Sequence, residues 1–330
     1  MNSIRTATGL FATLICLGIA INGAAWARPQ PPSDEALRAE ARPGLQRMMD
    51  GDLEGATGIF REMQKADAQS PLGYLLEADA VWWRIYYSTA NLVDPDVFAA
   101  TDLPTTQYDR HFDDLLNIAL NKCEARIRAK RDVARSYLYQ GMAYALRGRL
   151  AGLRDQDLPT ARAGKKMRTA LLKAVELDPS LTDAYLGLGI YNYFVDTLSA
   201  IVKLLRWLIG LPGGSRLEGL RLMEFAAQKG DLTPAEAKFY LAKDYSRPAE
   251  RQFERSMQLF QELERDYPQN PFWPMMIASL HCRMGHTEPC ETGYRDVHRR
   301  TAHAKNEVDD ALHRSAHLAL QRRHPKEKIE

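Results

Sequence analysis

The sequence has few cysteines, no excess of either charge and almost no runs of β-branched residues. It contains 4 cysteines, and 44 lysines and arginines balance 42 aspartates and glutamates. The neutral balance excludes the strong positive field typical of nucleic-acid-binding proteins, so we expect no nucleic-acid partner. Leucine and alanine are abundant, and glycine and proline fall mostly between periodic segments. The sequence therefore predicts an all-α protein.

Motifs for catalysis and cofactor binding are also absent. The chain has no Gly-x-Ser-x-Gly motif, no Walker loop and no dinucleotide fingerprint. His313 and His317 lie four residues apart, as metal ligands on a helix do, but no Cys-x-x-Cys or His-Glu-x-x-His motif accompanies them. We therefore expect no enzyme, no cofactor and no metal. An enzyme would require carboxylates or histidines that converge in a pocket.

The first 27 residues have the organisation of a secretory signal peptide. Arg5 supplies the positive end, residues 10–21 form a short apolar core, and Ala25-Trp26-Ala27 fits a signal-peptidase site. We predict cleavage near Ala27, which would leave residues 28–330 as a periplasmic or secreted chain. The alternative is an uncleaved membrane anchor.

Three cysteines would remain after cleavage, so at least one thiol stays unpaired. Cys123 shares a predicted helical face with Phe112 and Leu116, which predicts a buried, inert thiol. Cys282 and Cys290 flank a predicted turn. A disulfide across this hairpin and two free thiols remain equal alternatives.

Helical hairpins recur along the mature chain. The segment from Ala170 to Gly189 predicts a helix, a stop at Pro179 and the start of another helix. Residues 28–130 predict divergent N-terminal hairpins: a hairpin over 34–66, a helix from Ser70, a loop over 91–106 and a helix over 107–130. We predict that the aromatic cluster of the helix from Ser70 belongs to the core; its members are Trp82, Trp83, Tyr86 and Tyr87.

Residues 131–330 predict more regular repeats and a C-terminal cap in the same single domain. An insertion around residues 150–163 delays the second helix of one repeat. Gly230 predicts an αL cap, and the spacing of Thr233 and Glu236 predicts a capping box. The last predicted helix spans Glu307–Arg323.

Three runs of sequence carry a narrower resemblance, which extends over residues 183–271. They are Tyr185–Leu198 (YLGLGIYNYFVDTL), Leu211–Leu220 (LPGGSRLEGL) and Glu236–Ala242 (EAKFYLA). Together they resemble tetratricopeptide repeat proteins of the bacterial envelope. That group is itself similar to the eukaryotic inclusion-body-clearance and tetratricopeptide-39 proteins.

The resemblance implies a solenoid of irregular helical hairpins that binds other molecules on its concave side. The concave positions of the family fall on Arg135, Leu138, Met142, Asp183, Leu186, Ile190, Tyr193 and Phe194. This lining is mostly apolar. It lacks the basic and amide clamp with which chaperone-binding relatives hold a peptide carboxylate.

Residues 194–211 interrupt the repeat with an unusually apolar helical insertion. Its polar residues recur at intervals of three and four, and its wide apolar face includes Leu198, Val202, Leu205 and Ile209. Three charges in this segment make it a poor membrane span. Three interpretations remain open: packing within the solenoid, contact with a membrane surface or lipidic ligand, and contact with a protein.

These observations predict a non-enzymatic scaffold of the bacterial envelope that offers a concave helical surface to a protein or peptide partner. The alternative is a periplasmic carrier or membrane-surface protein that binds a hydrophobic or lipidic ligand through residues 194–211.

Overall fold

The computed structural model describes residues 32–88, 92, 105–197, 210 and 212–324, and these residues form thirteen α-helices and no β-strand. The all-α prediction is confirmed. The predicted signal peptide and most of the predicted loop over 91–106 lie outside the described residues. The helices are α1 (Asp34–Met49), α2 (Leu53–Ala66), α3 (Leu72–Tyr87), α4 (Asp109–Arg128), α5 (Val133–Leu153), α6 (Asp157–Leu177), α7 (Ala184–Thr197), α8 (Arg216–Lys229), α9 (Pro234–Ser246), α10 (Phe253–Asp266), α11 (Phe272–Arg283), α12 (Thr287–Arg300) and α13 (Glu307–Arg323).

Each helix packs mainly against the helices next to it in sequence, as in a helical solenoid. Polar side chains cap several helix starts: the Ser33 hydroxyl accepts the N–H of Ala36 at 3.1 Å, and the Asp52 carboxylate accepts the N–H of Gly55 at 2.8 Å. These caps satisfy donors that the first helical turn leaves without partners. Within the described residues, no helix combines the length and apolarity needed to cross a bilayer.

The predicted insertion at residues 150–163 takes the form of added helical turns, because these residues belong mainly to the two helices of the hairpin. Helices α5 and α6 span 21 residues each, and only residues 154–156 separate them. The segment contains three leucines, three alanines and two arginines, which all favour helix. The hairpin therefore grows in length without an added loop.

Two predicted helix ends also differ from the structure. Gly230 has φ −60° and ψ 157°, an extended conformation and not the αL cap that we expected. Thr233 makes no side-chain cap; its hydroxyl donates to Oδ1 of Asp183 at 3.0 Å. Glu236 is drawn away from the cap by an ion pair with Arg149. Tertiary partners thus outweigh local capping at this turn.

Helix α3 lies inside the stack and is buried on nearly every side. The Trp83 ring lies 5.4 Å from Phe239 of α9 and 6.2 Å from Phe272 of α11. Helix α3 of the N-terminal part therefore packs against helices of the later hairpins. The prediction that the aromatic cluster belongs to the core is confirmed, since all four side chains are buried: Trp82, Trp83, Tyr86 and Tyr87.

Candidate functional site

Arg149 of α5 lies where helices from both halves of the chain meet. Its Nη1 atom is 3.3 Å from Oδ1 of Asp79 in α3, and the same atom forms an ion pair with Glu236 in α9. The guanidinium lies over the Trp82 ring, 3.6 Å from the ring centroid. Two carboxylates thus share one nitrogen of one guanidinium inside the protein, which is an unusual excess of buried negative charge.

This excess of buried negative charge changes the protonation of Asp79. Burial, together with the nearby charge of Glu236, raises the pKa of Asp79 to about 8, although Arg149 opposes this shift. Asp79 therefore keeps its proton to a higher pH than a free aspartate does. A proton shared in this way lets the pair of carboxyl groups both donate and accept hydrogen bonds beside the guanidinium.

Two cavities border the cluster, and Asp79 and Glu236 line both of them. The smaller one has a volume of about 40 Å³ and mostly apolar walls, enough for ordered water. The larger one has a volume of about 180 Å³ and lies between α1 and the start of α9. It is the larger cavity that can accept an organic ligand.

A second ionic network is centred on Asp183 and lies beside the same two cavities. Oδ1 of Asp183 accepts the backbone N–H groups of Asp231 and Leu232 at 2.8 Å and 2.9 Å. Oδ2 accepts a hydrogen bond from Arg38 of α1 at 2.8 Å. Arg38 also reaches Asp231 at 2.7 Å. The network therefore attaches α1 to α7 and to the turn before α9.

The structure divides the predicted concave residues into two groups. Four of them line the small cavity: Met142, Asp183, Leu186 and Ile190. Leu138 and Tyr193 are buried in the core, Arg135 lies 3.3 Å from Asp34 of α1, and the Phe194 ring lies 4.8 Å from the Arg247 guanidinium. The structure therefore brings four of the predicted residues together, and α1 and α3 contact the same region.

The apolar insertion is described only at its edges, and its predicted contact residues lie outside the described part of the chain: Leu198, Val202, Leu205 and Ile209. After it, the Pro212 carbonyl accepts a hydrogen bond from the Tyr191 hydroxyl at 2.8 Å. A Cβ on Gly210 would lie 3.1 Å from Nζ of Lys165 in α6. The end of the insertion therefore adjoins the outer helix α6.

The cysteine and histidine candidates lie at the C-terminal end. A disulfide joins Cys282 to Cys290 between α11 and α12, and Cys123 is a buried free thiol. The His298 ring stacks on His313 with centroids 4.1 Å apart. In the part of the chain that the structure describes, no three histidine, cysteine or acidic side chains are arranged to hold a metal ion.

The Asp79–Arg149–Glu236 cluster was not predicted from the sequence. The available signal was Asp79 itself, a charged residue within a helix whose other side chains are nearly all apolar. Nothing in the sequence pairs it with residues 70 and 157 positions later, because only the packing of α3, α5 and α9 brings them together. Comparisons with known protein families and with characterised proteins find no match for this chain.

Proposed function

We propose that this protein is a non-enzymatic binding scaffold of the bacterial envelope, built from tetratricopeptide-like hairpins, that contacts an anionic membrane surface through its outer helix α6. The signal-peptide pattern of residues 1–27 supports the location. The contacts of α1 and α3 around the predicted concave residues support a contact on the outside, since a peptide bound at those residues would have to displace both helices.

The basic face of α6 is the observation that carries this proposal. No acidic residue lies between Asp157 and Glu176, whereas five basic residues do: Arg162, Lys165, Lys166, Arg168 and Lys173. Arg162, Lys165 and Lys166 are exposed, on a helix that stands on the outside of the stack. An exposed basic helix is attracted to an anionic lipid surface by about 1 kcal/mol for each basic side chain near that surface.

Exposed leucines accompany these charges. Leu158 and Leu172 of α6 are 45% and 39% exposed, and Leu217 at the start of α8 is 71% exposed. Leucines among basic side chains suit a bilayer interface, where the apolar groups enter the headgroup region. Gly210, the described residue near the end of the insertion, adjoins the same helix.

Co-sedimentation with lipid vesicles tests the proposal. Residues 28–330 should bind vesicles that contain phosphatidylglycerol and should not bind pure phosphatidylcholine vesicles. The double variant Arg162→Gln/Lys166→Gln removes two exposed charges and should weaken binding about thirty-fold, from about 1 kcal/mol for each charge. Arg110→Gln/Arg128→Gln on α4 removes the same charge elsewhere on the surface and should leave binding unchanged.

Two results would count against a membrane contact. Equal loss in both double variants would mean that net charge alone controls sedimentation. Crosslinking from positions on α6 in intact envelopes that captures a protein and no lipid would favour the protein-scaffold alternative. Leu205→Asp tests the insertion separately, since it should weaken vesicle binding only if that segment contributes.

A further inference from the structure

The 180 Å³ cavity between α1 and the start of α9 has the features of a binding site. Its walls combine apolar and charged side chains. The apolar ones include Leu45, Met48, Met49, Leu232 and Ala235. Asp79 and Glu236 form its inner end, and the ion pair of Arg42 with Asp231, at 2.9 Å, lies at its other side.

The charges around this cavity do not balance. Three guanidinium groups, those of Arg38, Arg42 and Arg149, pair with four carboxylates, those of Asp79, Asp183, Asp231 and Glu236. The Arg38 and Arg42 pairs neutralise Asp183 and Asp231. The excess negative charge therefore belongs to Asp79 and Glu236, which share Arg149 and face the cavity.

A buried uncompensated carboxylate must take up a proton or a cation. The geometry points to this cavity as a binding site for a small organic cation: a primary ammonium group, held by Asp79 and Glu236, on an apolar body of about one ring. An ammonium group donates three hydrogen bonds, which suits two adjacent carboxylates. A cavity of about 150 Å³ is known to hold benzene, so 180 Å³ accommodates such a body.

Binding of a cation should expel a proton. Burial and the adjacent Glu236 raise the pKa of Asp79 against the opposing effect of Arg149, so the carboxyl pair holds a proton that a free aspartate would lose. An ammonium group beside it lowers that pKa and releases the proton to the buffer. This site is separate from α6, so the inference does not depend on the proposed membrane contact.

Isothermal titration of residues 28–330 with benzylammonium chloride near neutral pH tests the inference. We expect saturable binding, with an enthalpy that changes with the ionisation heat of the buffer because close to one proton is released. Benzyl alcohol has the same ring but no charge and should bind at least tenfold more weakly. Glu236→Gln should weaken benzylammonium binding at least about thirty-fold, as loss of one partner of a buried charge pair does.

Two further variants separate the site from general effects on folding. Ala235→Phe fills the cavity without altering any charge and should abolish binding. Glu262→Gln makes the same chemical change on α10, where Glu262 pairs with Lys238 at 2.9 Å, and should bind as the wild type does. Equal affinity for amine and alcohol, an unchanged affinity in Glu236→Gln, or no binding by folded wild-type protein at millimolar amine would each overturn the inference.

Discussion

Replacing Asp183 with alanine removes the acceptor that holds α1, α7 and the turn before α9 together. Its carboxylate accepts backbone N–H groups at 2.8 Å, 2.9 Å and 3.1 Å from three successive residues of that turn. It also accepts a hydrogen bond from Arg38 at 2.8 Å, and its side chain is 0% exposed. The variant therefore leaves several donors buried without a partner.

The expected cost follows from that burial. Breaking a buried ion pair from one side costs about 3–5 kcal/mol, and each buried donor left unpaired adds to the cost unless water reaches it. We expect Asp183→Ala to lower the free energy of unfolding by about 4 kcal/mol, and the Tm by about 8 °C for a chain of this size. Asp183→Asn keeps an acceptor oxygen but loses the charge, and should cost about half as much.

Thermal and urea unfolding, followed by circular dichroism, measure these differences. Glu62→Ala is the control: Glu62 is 72% exposed and its partner Lys65 is 71% exposed, so that pair should contribute about 1 kcal/mol or less. The reasoning fails if Asp183→Ala unfolds within 1 kcal/mol of wild type. If Asp183 contacted a ligand, as the repeat pattern implied, the variant would lose binding and keep its stability.

Three further predictions concern packing, pH and the disulfide. Gly219→Ala should destabilise the protein by about 3 kcal/mol, because its Cβ would lie 2.6 Å and 2.8 Å from backbone atoms of α7. Gly58→Ala, with open space around its Cβ, should stabilise α2 by up to about 1 kcal/mol; thermal unfolding compares the two. Burial and two neighbouring histidines lower the pKa of His298 below 6.5, so the unfolded chain takes up the proton first. Stability should therefore fall as the pH drops below about 6.5, and less in His298→Gln, as Tm against pH would show. Reduction of the Cys282–Cys290 disulfide should cost about 2 kcal/mol, and the Cys282→Ser/Cys290→Ser variant should unfold at the same lower temperature with or without reductant.

The sequence predicted the helices well where polar caps or prolines mark their ends. The last helix was predicted over Glu307–Arg323 and has those bounds, since Asn306 caps it through the N–H groups of Val308 and Asp309. At residues 150–163 the sequence predicted extra residues but not their form, and the structure places most of them in two long helices. Helix propensity alone does not show at which residue a helix ends, so the lengths of these two helices could not be predicted.

The candidate site was much less predictable. Asp183 was predicted as a ligand-facing concave position. The structure places it beside the small cavity, as the centre of a buried ionic network. Glu236 was predicted to cap its helix and instead pairs with Arg149. Local spacing predicts local hydrogen bonds, whereas a buried carboxylate takes the strongest partner within reach, whichever helix supplies it.

The sequence by itself determined that the chain forms a succession of helical hairpins, because hydrophobic periodicity and helix stops act over a few residues. Only the tertiary structure decided that α3 packs against helices of the later hairpins and that two carboxylates meet at one arginine. The physical reason is that the curvature of a helical stack sums many small packing angles, each set by side chains in contact. Whether the two ends of the stack meet, and which charges they bury, depends on that sum and on no single segment.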